Sequence, residues 1–277
     1  MVRTEAEEEL RARFGQSYLR NQTPVMQRIE RAINGCCYGG TSWATRNEID
    51  NIAEKLALRP GQRLLDLGAG SGWPGLYLAA SSGCDITLVD LPEEGLVIAA
   101  ARAKADRLSG LCNVAVADGR ALPYGEKYFD AITHSDVLCC LPGKRAVLSE
   151  CRRTIKDGGE MIFTVLLVAA GLSDKDCALA IDIGPPYVAT KIDYAEMLRQ
   201  TGWTLIEQRD LGLQFLHSAK TFLKVDRDNE ADLAALLGEA DYRLRLEKDA
   251  IYIDATTRGI LRRELFHVRA IDGFDAQ

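Results

Sequence analysis

Within LLDLGAGSGWPG, residues 64–75, glycines recur at Gly68, Gly70 and Gly72, directly behind an apolar run that contains Asp66. Glycine has no Cβ, so a loop built this way lets the backbone approach a ligand closely and takes up conformations closed to other residues. A strand that runs into such a loop and then into a helix also turns unpaired helix N–H groups toward a polar or anionic group. Pro74 suits the first turn of that helix, where a missing donor costs nothing. Two further carboxylates, Asp90 in ITLVD and Asp118 in VAVAD, each close an apolar run further along.

Taken alone the loop fits two chemistries. Gly70-x-Gly72-x-x-Gly75 satisfies the dinucleotide pattern, with Asp90 about 20 residues beyond its first glycine. That pattern, however, begins directly at the end of its strand. In this register the glycines become Gly68, Gly70 and then Trp73, which fails at the third position. Asp66 lies inside the strand, where it would face the cationic end of a ligand. Asp90 is placed to accept from ribose hydroxyls. Asp118, followed by the N–H groups of Gly119 and Arg120, would read an adenine edge.

The ordered blocks LLDLGAGSGWPG, ITLVD, ADGRALPY with FDAITHSDVLCCLP, and IKDGGEMIF resemble the class I, Rossmann-like S-adenosylmethionine-dependent methyltransferases of small molecules. The resemblance runs from Arg63 to Phe163. It implies that Gly68, Ala69, Gly70 and Gly72 hold the methionine part of S-adenosylmethionine, that Asp90 binds ribose with Leu91 beside the adenine, and that Asp118, Gly119 and Arg120 read the adenine. His134, at the end of the fourth strand, would contact the methionine amino group through its carbonyl. His134 and Asp136 are the candidates for a catalytic role, against a bystander ring for the first and a helix N-cap for the second. The segment YGGTSW resembles an aromatic lid, with Tyr38 and Trp43 closing over the ligand. Cys140 stands where many small-molecule members carry His, which removes a base from that position.

These residues need a parallel sheet with helices on both faces. Short apolar strands alternating with helices predict one: strands at 63–67, 86–90, 114–118, 129–134 and 160–168, a sixth at 203–210 and a last one within 260–271. Helices are expected over 5–33 as one or two, from Ile49 to Leu56, after the glycine loop, over 95–105, 144–154 and 193–200, and as a long stretch with polar breaks over 214–250. A turn at Asp157-Gly158-Gly159 should introduce the fifth strand. The whole reads as a single domain: an N-terminal helical lid over 1–60, a cofactor-binding core over 61–170, and, over 171–277, a cap insertion, the sixth and seventh strands and C-terminal helices.

Bulk composition narrows the partners. With 277 residues, 47% hydrophobic and 27% charged, the chain can bury a sizeable core. A net charge of −6 without Lys or Arg runs argues against a phosphate backbone, so no nucleic acid partner is expected. The start MVRTEAEEEL lacks an apolar core, and the apolar stretch Met161 to Ala170 is too short for a bilayer, so neither a secretory signal nor a membrane partner is expected. Eight cysteines with no Cys-x-x-Cys pair point to reduced thiols in the cytoplasm and to no metal site; the pairs Cys36-Cys37 and Cys139-Cys140 read as packing residues, and His217 and His267 as structural. The expected chemistry is in-line methyl transfer to an O, N or C nucleophile of a small molecule, with the acceptor and the oligomeric state open. A nicotinamide-dependent oxidoreductase and a non-catalytic S-adenosylmethionine-binding regulator or partner subunit are the alternatives.

Overall fold

The computed structural model describes residues 3–274; Met1, Val2 and residues 275–277, the outer ends of the expected lid and cap, lie outside the described residues. Seven strands form one mixed sheet: β1 (Arg63–Leu67), β2 (Asp85–Asp90), β3 (Cys112–Val116), β4 (Phe129–Ser135), β5 (Ile155–Val168), β6 (Trp203–Asp210) and β7 (Leu261–Ala270), in the order β3-β2-β1-β4-β5-β7-β6. All neighbours are parallel except β7, which runs antiparallel to β5 and β6. The chain enters at β1, steps outward to β2 and β3, then returns to β4 on the other side. This reversal leaves a crevice at the carboxyl ends of β1 and β4, the usual ligand position in such sheets.

Period-two alternation divides the core into two faces. Leu64, Ile86, Leu88 and Ile162 pack under α3 (Arg46–Leu56), α4 (Gly75–Ser82) and α5 (Glu93–Ala105), through residues such as Ile49, Leu76 and Ala99. Leu65, Leu67, Val89, Met161 and Phe163 pack under α6 (Lys144–Thr154), α7 (Asp174–Ile183) and α8 (Tyr194–Gln200), through Val147, Ala180 and Leu198. The N-terminal lid is two helices, α1 (Glu5–Arg20) and α2 (Pro24–Asn34). A capping box between Thr4 and Glu7 starts α1, and Gly35 in the left-handed region ends α2.

Three expectations shift. The third strand lies two residues earlier than VAVAD, because Cys112 and Asn113 pair with Ile86 and Thr87 at this half-exposed edge, so Asp118 follows the strand rather than ending it. The fifth begins at Ile155, opposite Phe129, and takes the expected turn at residues 157–159 into the strand as a register shift with Gly158 at φ 71. The long helical stretch is three helices, α9 (Gly212–Asp228), α10 (Glu230–Leu237) and α11 (Glu239–Thr257), broken at Asn229 and Gly238. They are inserted between β6 and β7 and are not C-terminal. Leu233 and Tyr242 of this insertion pack on Val25, Met26 and Ile29 of α2, joining cap to lid. Among the described residues no helix is long and apolar enough to cross a membrane.

Candidate active site

A cleft with about 1120 Å³ of empty space, mouth included, lies along the carboxyl ends of β2, β1, β4 and β5 and is roofed by α1 and the segment Gly40 to Trp43. Its floor is the glycine loop. Gly68 and Ala69 both donate to the Val89 carbonyl, at 2.7 and 3.1 Å, which pins the loop to β2. Gly70 has φ 50, and a Cβ there would stand 2.8 Å from the Tyr18 ring, so only glycine lets α1 pack this close. Gly68, Ala69 and Gly70 line the cleft. Gly72 does not: a Cβ on it would meet Leu76 and Ala99, so this glycine serves packing between α4 and α5 rather than ligand contact.

Asp90 ends β2 with its carboxylate on the cleft. Oδ2 accepts from Gly70 N at 2.8 Å and Tyr18 Oη at 3.3 Å, and Oδ1 accepts from Leu91 N at 2.7 Å. Burial pushes its pKa up to about 6, while these donors pull the other way. Leu91 and Arg120 also line the cleft, but Asp118 and Gly119 do not. Asp118 instead accepts two bonds from the Arg120 guanidinium, at 2.9 and 2.7 Å, and one from its N–H. Against the effect of burial, these bonds hold Asp118 below the usual carboxylate range. Arg120 meets Glu7 of α1 at 2.7 Å on its other side. The expected adenine reader is therefore an ion-pair partner, and Arg120 stands at the cleft in its place.

Asp66 faces away from the cleft. Its Oδ2 accepts from Gly75 N at 2.9 Å, at the first turn of α4, and Oδ1 is buried with no partner among the described residues. Burial raises its pKa to about 8. It anchors the helix and does not reach a ligand's cationic end. The His134 ring is also sealed in the core, stacked on Phe163 at 4.5 Å, with neither nitrogen hydrogen-bonded. Burial takes its pKa down to about 3, so the catalytic role expected for this side chain is corrected.

Asp136 does line the cleft, but not as a helix cap: the short 3-10 turn Leu138–Cys140 behind it has no side-chain cap. The residue sits at φ 59, which turns its carboxylate inward. Oδ1 accepts from Arg263 Nε at 2.9 Å; Oδ2 accepts from Ser42 Oγ at 3.3 Å and Trp43 N at 3.2 Å. Arg263, only 1% exposed, donates its other two nitrogens to Glu48 at 2.8 and 2.9 Å. Trp43 thus lies at the cleft, edge-on to Phe215 and Phe222 of α9. Tyr38 does not: it packs at a tilt against Trp73, ring centroids 5.1 Å apart, under Arg102. Cys139 and Cys140 pack as expected, yet both also line the cleft, with their thiols donating to the Asp136 carbonyl. All eight cysteines are free thiols.

Two parts of the site escape sequence reasoning. Leu10, Phe14 and Tyr18 reach the cleft from α1, and their one-turn spacing was the available signal. Arg263 alternates with Leu261 and Leu265, so period two alone puts its charge on an inward position.

Residues 65–163 match the family model described as a methyltransferase domain. The glycine/sarcosine/dimethylglycine N-methyltransferase of Actinopolyspora halophila is 27% identical over 235 residues, 82% of this chain and 40% of that protein. The (+)-O-methylkolavelool synthase of Herpetosiphon aurantiacus is 26% identical over 189 residues, 67% of this chain and 66% of that one. The chain thus spans less than two thirds of either relative. Among solved structures, Haemonchus contortus phosphoethanolamine N-methyltransferase 2 in complex with S-adenosyl-L-methionine superposes with a TM-score of 0.75 at 18% identity, covering 94% of this chain and 60% of that one. At that identity the likeness is one of fold.

Proposed function

We propose that this chain, whose residues 65–163 match the methyltransferase-domain model, is of the class I, Rossmann-like type and moves a methyl group from S-adenosylmethionine to a small-molecule nucleophile. The observation that carries the reading is Asp90, held on the cleft by the N–H groups of Gly70 and Leu91 in the same loop that needs glycine to form. When bound, this donor supplies an electrophilic methyl group, the C–S electron pair staying on sulfur as the acceptor's pair forms the new bond.

The chain's own residues bind, orient and shield. Gly68 and Gly70, where a Cβ would run into Val137 and Tyr18, form with Ala69 a closely packed backbone floor suited to the methionine part, and Asp90 has lone pairs left for ribose hydroxyls. Leu91 flanks the base position. Arg120, neutralised by Asp118 and Glu7, closes that end. Phe14, Tyr18 and Trp43 roof the cleft and exclude water, and Asp136 holds the roof segment down. Catalysis is then chiefly alignment of two reactants in a dry cleft. The eight free thiols suit a reducing cytoplasm.

Calorimetric titration with S-adenosylhomocysteine, NADH and NADPH tests the reading. Only S-adenosylhomocysteine should bind, and Asp90→Ala should weaken it at least ~10-fold, the loss of about 1.4 kcal/mol of charge-assisted hydrogen bonding. Preferential binding of a nicotinamide nucleotide, or unchanged affinity in the variant, would overturn it.

A further inference from the structure

The cleft divides by sheet order. The end over β3, β2 and β1 carries its charges, and the end over β4 and β5 carries only one. That second half is walled by Trp43, Cys139, Cys140, Leu141, Leu166 and Pro185. Its single ionisable group besides the thiols, Asp136, has both carboxylate oxygens occupied by Arg263 and by the roof segment. The charges of the first half are also spoken for. Arg120 lies between Asp118 and Glu7, and Arg3 and Arg11 share Glu8. Among the described residues, no cation lines the β4–β5 half to receive a carboxylate or phosphate. No carboxylate at the β4–β5 end is left to receive an ammonium.

Desolvating a charged ligand group without a partner costs several kcal/mol, so such a chamber discriminates by charge before it discriminates by shape. We infer that the β4–β5 half of the cleft takes an uncharged, largely apolar methyl acceptor. This rests on the reading of the other half as the donor site. A second cavity beyond the roof segment is polar, with Arg20, Glu30, Arg245 and Asp249 among its walls, and shares Gly40, Thr41, Ser42 and Trp43 with the first. The four-residue roof segment therefore separates an apolar chamber from a polar, mixed-charge one.

Three probes of equal length, 1-octanol, octanoate and octylammonium, separate the possibilities when titrated into the full chain saturated with S-adenosylhomocysteine. Octanol should bind at least ~10-fold tighter than either ion. Leu141→Asp, on a half-buried loop position, should abolish octanol's advantage and leave S-adenosylhomocysteine affinity within about twofold, whereas Leu141→Met should keep both. Octylammonium or octanoate binding as tightly as octanol would overturn the inference, as would an octanol preference that survives Leu141→Asp. Failure of S-adenosylhomocysteine to bind at all would strike the donor site first and the inference with it, so the two failures are distinct.

Discussion

Asp66 and Asp90 are both acids at the ends of adjacent strands, yet they do different work because of what surrounds each carboxylate. Asp90 keeps three donors and faces the cleft, whereas Asp66 keeps one, from Gly75, in a buried pocket at the start of α4. A carboxyl whose pKa rises on folding, here from 3.8 to about 8, holds its proton more tightly folded than unfolded. Its contribution to stability is fully present below the ordinary value, falls by about 1.4 kcal/mol per pH unit through the window up to about 8, and is flat beyond. Asp66→Asn keeps an oxygen for the Gly75 N–H and removes the titration. Urea midpoints at pH 6 and pH 8 should therefore fall less in the variant than in the wild type. The comparison cancels Asp90 and Asp249, which burial also raises, to about 6 and about 7. Parallel losses in the two proteins would show that Asp66 does not titrate there.

At the scale of elements, α1 is tied to the sheet by side-chain contacts. It meets the sheet edge through Glu7 on Arg120 and Tyr18 on Asp90, while Glu7 also closes the capping box on Thr4 N at 2.8 Å. Glu7→Ala removes both an anchor and half a cap, worth about 1 kcal/mol locally. Backbone amide exchange over residues 5–20 should rise roughly fivefold with that of β1 unchanged; equal protection in the variant would mean that α1 is held by packing alone. The sequence made the element itself legible, and β1 and β6 to the residue, because local periodicity and capping decide them. β3 slid by two because an edge strand buries little and so leaves a weak pattern. The glycine loop was legible for the same local reason. Tyr18 on Asp90, 72 residues apart, and Arg263 on Asp136, 127 apart, were not, since nothing local selects a partner at that distance.

For the molecule as a whole, Arg263 is where its parts meet. The antiparallel register sets this residue of β7 opposite Leu166 of β5, beside the cleft wall, and its guanidinium joins Glu48 of α3 to Asp136 after β4 and so to the roof segment. Two carboxylates and one guanidinium are buried together, at 7%, 7% and 1% exposure. Such a cluster adds little over apolar packing when complete, but taking away the shared cation strands both anions. Arg263→Met should accordingly cost about 3–5 kcal/mol in urea unfolding with an unchanged slope. Arg263→Lys, which cannot span both carboxylates, should fall between. Adding Glu48→Gln to Arg263→Met should restore part of the loss, because one stranded charge is gone. A loss below about 1 kcal/mol, or simple additivity in the double variant, would mean that Asp136 reaches water when its partner leaves. In that case the roof segment would be held by Trp43 packing on α9, and the cap inserted between β6 and β7, rather than the clamp on β7, would set the shape of the acceptor chamber.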